Sequence, residues 1–177
     1  TLKSLISSIQ ARDHYTEEHS QRVTNEAVRL AENLICSQKE IECLKIAGIL
    51  HDVGKIAVPD SILLKPGKLT EEEYMIIKNH ATIGENIVRP IMLLDQERRI
   101  IQCHHERWDG TGYPLGLKGE DIPYLARILS VVDSYDAMIN NRPYCSAMSK
   151  EAAIDELIRN KGTQFDPSIV DAYLRIL

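Results

Sequence analysis

The chain has 177 residues, of which 44% are hydrophobic and 27% are charged, and its formal net charge is −5. It is long enough for a sizeable core and too short to presume two domains, and its composition is that of an ordinary globular protein. The negative charge argues against a surface that binds nucleic acid by neutralising its phosphates. A phosphorylated small molecule is not excluded, because bound metal ions can reverse the local charge.

The four cysteines have neither a CxxC spacing nor the density of a disulfide scaffold, which favours free thiols in a reducing cytoplasm. They are Cys36, Cys43, Cys103 and Cys145. No apolar run approaches the roughly eighteen residues of a membrane span, and no signal peptide opens the chain. We therefore expect a cytoplasmic protein without a membrane segment. Because the chain begins at Thr1 without an initiator methionine, we expect residues 1–177 to be a single output domain of a longer protein.

Apolar residues recur at helical spacing, and no period-2 alternation of useful length appears, which predicts an all-α fold. Thr16 is followed by two acids and predicts the N-cap of a helix that continues to about Leu34. An earlier helical stripe is formed by Leu2, Leu5, Ile6 and Ile9.

The next predicted helix follows a break near Ser37 and delivers the pair His51-Asp52 at its end. Gly54 and Pro59 are then expected to end regular structure, and residues 56–69 read as a loop. Further along, Thr70 and Glu73 form a capping-box pattern at the start of a short helix that ends near His80. More helices are expected up to Pro90 and over residues 97–105.

Residues 108–123 are rich in Gly and Pro and form the longest irregular stretch, and a loop of this length in a compact domain is usually functional. From Pro123 the sequence is apolar almost all round, which predicts a buried central helix that carries Asp133 and Asp136. The remaining helix starts are expected at the caps Ser149 and Asp166-Pro167.

Five of the six histidines lie in predicted helices or at their ends beside apolar positions, where an imidazole without a partner is costly. Asp52 and Asp133 are acids in apolar runs, and a buried carboxylate needs a cation or several donors. Since imidazole and carboxylate both bind metals, these residues predict a metal site. Lys55 shares a helix face with Asp52 and offers an ammonium for a phosphate. The five histidines are His19, His51, His80, His104 and His105, whereas His14 reads as an ordinary polar residue.

Two motifs are more specific than these single residues. The first is His51-Asp52-x-Gly54-Lys55, and the second is the run His104-His105-Glu106-Arg107-Trp108-Asp109-Gly110-Thr111-Gly112-Tyr113-Pro114. Together they resemble the HD-GYP family, a branch of the HD-domain phosphohydrolases. Further matching stretches occupy residues 59–70, 116–120, 142–144 and 162–167, so the resemblance covers about residues 12–174. The His-Asp pair alone is weakly specific, but the long second run is highly specific.

The resemblance implies a helical bundle in which the long Gly/Pro-rich loop carries the GYP motif. It implies hydrolysis of the bacterial messenger cyclic di-GMP to linear pGpG, and onward to GMP, by a hydroxide that bridges two divalent metal ions, iron or manganese. Asp52 would bridge the metals, and Lys55 would offset charge on the phosphoryl oxygens. The implied metal ligands are His19, His51, Asp52, His80, His104, His105 and Asp133.

The resemblance also implies substrate contacts and partners. The loop through Gly112, Tyr113 and Pro114 would shape the substrate mouth, and Arg142 would hold the second phosphate or a guanine edge. Lys118 is a weaker candidate for that role. The implied partners are cyclic di-GMP, an upstream sensory or receiver domain, a diguanylate-cyclase domain and a second copy of the chain in a homodimer.

The sequence departs from the family pattern at two positions. Trinuclear members carry a Glu four residues before the first metal histidine, where this chain has Tyr15, which favours two metals over three. The position three after Arg142 is often basic and here is Cys145, so that one phosphate contact is lost. Two alternative functions remain open: a module that binds a cyclic dinucleotide or a protein without turnover, and an HD phosphohydrolase for another nucleotide, including mixed cyclic dinucleotides.

Overall fold

A computed structural model of the chain describes residues 14–91, 95–141 and 147–177, and the side chains of residues 14–17 lie outside the description. The predicted stripe at residues 2–9, together with Arg142 and Cys145, therefore also lies outside the described residues. The described helices are α1 (His14–Asn33), α2 (Gln38–Leu50), α3 (Asp60–Leu63), α4 (Glu71–Lys78), α5 (His80–Val88), α6 (Asp95–Cys103), α7 (Tyr124–Ile139), α8 (Lys150–Arg159) and α9 (Pro167–Leu174).

Short 3-10 helices occupy Val53–Ala57 and Gly119–Asp121, and the described ranges contain no β-strand beyond one isolated bridge between Lys161 and Phe165. The predicted all-α fold is confirmed. Helix α7 is the central helix, as predicted: it packs against α1, α2, α6, α8 and α9, and Ile128, Leu129 and Val132 are fully buried. In the part of the chain described here, no helix combines the length and the apolar character needed to cross a membrane.

The predicted caps are present at three helix starts. The Thr70 hydroxyl accepts a hydrogen bond from the Glu73 backbone N–H, and the Glu73 carboxylate accepts one from the Thr70 N–H, which completes the capping box. Ser149 caps α8, and Asp166 caps α9 with Pro167 in the first turn. Each cap provides acceptors for backbone N–H groups that have no partner inside the helix.

The structure corrects the prediction for Thr16. Helix α1 already includes His14, so Thr16 lies inside the helix, whereas an N-cap residue has a non-helical backbone. A threonine followed by acids fits any of the early turns of a helix. The pattern at Thr16 therefore predicts a helix start that is later than the one in the structure.

Two further boundaries also differ from the prediction. Regular structure does not end at Gly54 or Pro59: the chain continues through the 3-10 helix Val53–Ala57 and the single turn α3, which follows Pro59 at a φ of −58°. Proline fixes φ near the helical value and so can precede a helix as well as end one. Helix α6 ends at Cys103, before the paired histidines, because the Glu106 N–H turns back to the Cys103 carbonyl.

Candidate metal centre

Three of the predicted ligands are oriented by a backbone carbonyl of the helix that precedes them. In His51, His80 and His104, Nδ1 lies 2.6–2.7 Å from the backbone carbonyl oxygen three residues earlier. A carbonyl oxygen can only accept, so in the neutral ring the proton is on Nδ1 and the lone pair is on Nε2. Each ring therefore presents a nitrogen with a free lone pair to the interior of the bundle.

These Nε2 atoms converge on a small buried volume. The Nε2 atoms of His80 and His104 lie 3.4 Å apart, and His51 Nε2 is buried without a hydrogen-bond partner among the described residues. His51 and His104 are fully buried. Lone pairs that face each other away from water repel unless a cation lies between them. The donor atoms of this cluster thus fit a metal ion.

The carboxylate of Asp52 lies between two groups of histidines. Its Oδ1 is 3.4 Å from His80 Nε2, and its Oδ2 is 3.4 Å from His51 Nε2. One set of donor atoms within 4.8 Å of one another comes from Asp52, His80, His104 and His105, and a second comes from His19, His51 and Asp52. Asp52 belongs to both sets, which is the arrangement expected of a carboxylate that bridges two ions.

Asp133 lies next to the second set. Its Oδ1 is 3.0 Å from His19 Nε2 and 4.0 Å from His51 Nε2. The structure therefore brings all seven predicted ligands together, although they come from α1, the end of α2, α5, the turn after α6, and α7.

Burial sets the protonation of the histidines in the first set. Removal from water lowers the pKa of His80, lowers that of His104 well below its usual value, and lowers that of His105 to about 3. All three rings are consequently neutral near pH 7, which is the form that binds metals. Burial alone would raise the pKa of Asp52, but Lys55 and His51 outweigh it and hold that pKa well below the usual range. The carboxylate is therefore ionised.

Asp136 orients His19 and has no role in the sequence analysis. Its Oδ2 lies 2.7 Å from His19 Nδ1, and Arg22 donates to both of its oxygens at 2.8 and 3.1 Å. Burial acts to lower the pKa of His19, but the hydrogen bonds with Asp133 and Asp136 outweigh it and raise the pKa to about 9. A carboxylate behind a ligating histidine fixes the ring orientation. The available signal was that Asp133 and Asp136 lie one turn apart on the same helix face.

We expect the substitution Asp136→Asn to lower the affinity of the centre for metal by about 10–100-fold, because His19 loses the charged partner that orients it. Metal titration of metal-depleted protein, followed by calorimetry, measures this change. The matched control is Asp155→Asn, which removes an exposed acid of α8. Equal affinities in the two variants would show that Asp136 does not support the site.

The loop that carries the GYP motif is held against the metal centre. The Tyr113 ring packs on the ring of His105, with centroids 4.9 Å apart. Glu106, which is 2% exposed, accepts hydrogen bonds from the backbone N–H groups of Leu115 and Leu117 at 2.7 and 3.0 Å. A Cβ at Gly112 would lie 2.3 Å from the Arg107 nitrogen, so only glycine permits this close approach. Through these two hydrogen bonds, Glu106 holds both ends of the turn that follows Pro114.

Replacing Glu106 by glutamine is expected to destabilise the fold by about 1–3 kcal/mol, because the amide NH₂ group faces a backbone donor and leaves it unpaired. Thermal unfolding of the metal-depleted protein measures the change. Glu120→Gln, at an exposed position of the same loop, is the control and is expected to leave the midpoint within error. An unchanged midpoint in Glu106→Gln would show that Glu106 does not hold the loop in place.

The other predicted site residues lie at different distances from the metal centre, and some lie outside the described residues. Lys55 lies at the centre, with its Nζ 2.6 Å from Asp52 Oδ2 and its side chain 29% exposed. Lys118 is exposed, and its aliphatic chain packs over Gly110, outside the two donor sets. Arg142 and Cys145 lie beyond the described ranges, and of Tyr15 only the helical backbone is described.

An all-α bundle that gathers buried histidines around one shared aspartate defines a helical protein with a candidate dinuclear metal centre. The chain belongs to the HD domain family, whose model matches residues 3–169. The predicted relationship to the HD-GYP branch is confirmed by its relatives and by a solved structure.

The chain is 44% identical over 182 residues to the cyclic di-GMP phosphodiesterase response regulator RpfG of Xanthomonas campestris, covering 99% of this chain and 47% of RpfG. It is 39% identical over 173 residues to the 3′3′-cGAMP-specific phosphodiesterase 2 of Vibrio cholerae, covering 97% of this chain and 33% of that protein. The solved structure of Bd1817, an HD-GYP-type protein from Bdellovibrio bacteriovorus, matches with a TM-score of 0.75 at 25% identity, over 93% of this chain and 53% of that one. The chain thus spans less than half the length of these two curated relatives.

Proposed function

We propose that this chain hydrolyses a phosphodiester bond of cyclic di-GMP, giving linear pGpG and, by a second cut, GMP. The observation that carries the proposal is the shared carboxylate of Asp52, which belongs to both donor sets. Two ions held close together by a shared ligand suit in-line displacement at phosphorus. The similarity to RpfG, a cyclic di-GMP phosphodiesterase, supports the choice of substrate.

The donor atoms fit two divalent ions, for which we propose iron or manganese, since imidazole suits iron and carboxylate suits manganese. When bound, such ions acidify coordinated water and polarise a phosphoryl oxygen. One ion would be held by Asp52, His80, His104 and His105, and the other by His19, His51, Asp52 and Asp133.

The protein's own side chains supply the remaining functions. Lys55 is partly exposed beside Asp52, so that its ammonium can pair with a phosphoryl oxygen as negative charge builds there. The buried histidines of the first donor set are held neutral by their lowered pKa values, and they therefore act as ligands and not as general acids. Gly112, Tyr113 and Pro114 would form one wall of the substrate mouth. Arg142, with Lys118 as a weaker candidate, would bind the second phosphate or a guanine edge.

Two other functions compete with this proposal. A mixed cyclic dinucleotide as substrate is favoured by the 39% identity to a 3′3′-cGAMP-specific phosphodiesterase. A module that binds cyclic dinucleotide or a protein without turnover is the second alternative, and the complete set of seven ligands speaks against it.

Purification without oxygen, metal analysis and product chromatography with both cyclic di-GMP and 3′3′-cGAMP test the proposal. We expect two ions per chain and faster hydrolysis of cyclic di-GMP. Faster hydrolysis of 3′3′-cGAMP would show that the mixed dinucleotide is the preferred substrate. Nucleotide binding by the metal-loaded protein without any product would establish the non-catalytic module instead.

We further propose that residues 1–177 are a single output domain of a cytoplasmic signalling protein. An upstream sensory or receiver domain would control it, which agrees with the response-regulator name of RpfG. A diguanylate-cyclase domain and a second copy of the chain are the proposed protein partners.

A further inference from the structure

Helix α4 borders the metal centre and carries side chains that the catalytic proposal does not use. The helix ends two residues before the ligand His80, and none of its residues is buried. Tyr74 on this helix is 42% exposed. Because the helix contributes no side chain to the core, core packing does not account for an aromatic residue at this position.

Lys78 connects this helix to the GYP loop. Its Nζ lies 4.5 Å from the ring centroid of Tyr74, one helical turn earlier, and 5.4 Å from that of Tyr113. Both distances are within the range of cation–π attraction. In the part of the chain that the structure describes, Lys78 forms no ion pair with a carboxylate. Its positive charge is therefore held between two rings without being neutralised.

These residues form a continuous path away from the metal ligands. The Tyr113 ring packs on His105 with a tilt of 30°, Lys78 lies over Tyr113, and Tyr74 lies beyond Lys78 at the surface. A cation flanked by aromatic rings is suited to a ligand that has both phosphate and a flat base.

We propose that Lys78, Tyr74 and Tyr113 form a second nucleotide subsite beside the metal centre, which binds the half of the cyclic dinucleotide that is not being hydrolysed. Lys78 pairs with the phosphate of that half, which leaves a guanine edge to Arg142, and the purine of that half stacks on Tyr74. This inference rests on the proposed function. Stacking on an aromatic ring tolerates any base, so the subsite supplies affinity, while discrimination between guanine and adenine belongs elsewhere.

The test compares two substrates in the metal-loaded protein. Cyclic di-GMP has a second phosphate and two purines, whereas bis(p-nitrophenyl) phosphate has one phosphodiester and neither a second phosphate nor a purine. We expect Lys78→Met and Tyr74→Ala each to raise KM for cyclic di-GMP about tenfold, to change kcat less than about threefold, and to leave hydrolysis of the small diester unchanged. Tyr74→Phe keeps the ring and is expected to retain the KM. Lys68→Met, at an exposed position before α4, is the charge-matched control.

Three outcomes separate the possibilities. An unchanged KM in Lys78→Met, with normal turnover by the unsubstituted protein, overturns the subsite and leaves the proposed function intact. An equal loss with both substrates places the effect at the metal centre and also overturns the subsite. If the unsubstituted protein hydrolyses neither substrate, calorimetric titration with cyclic di-GMP measures binding instead. Binding that is about tenfold weaker in Lys78→Met than in the unsubstituted protein supports the subsite. The absence of binding by the unsubstituted protein overturns both proposals.

Discussion

Replacement of Asp52 by alanine is expected to lower hydrolysis of cyclic di-GMP by about 10³-fold or more. Asp52 belongs to both donor sets, so under the proposed function its loss would remove a ligand from each ion at once. Loss of a group that only orients a ligand already costs about 10–100-fold in metal affinity or activity, and loss of the shared ligand itself should cost more. Product chromatography and metal analysis of the purified variant measure both effects.

The control for Asp52→Ala is Asp155→Asn, in which an exposed carboxylate is lost at a distance from the centre. Asp52→Asn adds a second comparison, because it keeps the volume of the side chain and removes its charge. We expect fewer than two ions per chain in both Asp52 variants and two in the control. Turnover by Asp52→Ala at a tenth of the original rate or better would contradict the bridging role.

Substitution of Gly54 by alanine is expected to destabilise the protein by about 3 kcal/mol or more. A Cβ at this position would lie 1.9 Å from the His80 carbonyl oxygen and 2.6 Å from the Gly84 nitrogen. Both contacts are with backbone atoms, so no side chain can move away to make room. The 3-10 helix after Asp52 and the start of α5 would have to separate, and the metal content should fall together with the thermal midpoint. For a chain of this size the midpoint should drop by about 10 °C.

Gly119→Ala distinguishes close packing from backbone strain. Gly119 has a φ of +57°, and a Cβ there would have no neighbour within 4 Å. We expect a cost of about 1 kcal/mol from the left-handed backbone alone and no change in metal content. Equal midpoints for the two glycine variants would show that the contact between Gly54 and His80 is unimportant.

Features whose causes are local could be predicted from the sequence. The capping box of Thr70 and Glu73 depends on groups three residues apart, and the apolar surroundings of His51 and Asp52 follow directly from neighbouring positions. Thr16 shows the limit of such patterns, because a residue that can cap a helix caps it only where the chain enters the helix.

Features that depend on distant residues could not be predicted in this way. Asp136 contacts His19, which lies 117 positions earlier in the chain. The spacing of Asp133 and Asp136 places both on one helix face, but it does not indicate that His19 is the partner. The sequence predicts that Gly54 ends regular structure, whereas in the fold Gly54 allows the His80 backbone to approach closely. Glu106 is part of the long motif that begins at His104, but the motif does not show which groups its carboxylate contacts. Its two backbone partners depend on the path of the loop.

The wide separation of the ligands along the chain has a consequence for the lifetime of the folded protein. His19 lies near the start of the described chain and Asp133 lies on the central helix, so an ion bound by both, as proposed, would close a loop that contains most of the core. Such a closure acts as a reversible cross-link, and it adds stability in proportion to the logarithm of the free metal concentration. When the cell is short of metal, the domain would open more often and be degraded sooner, so that metal supply would control the amount of the protein as well as its chemistry.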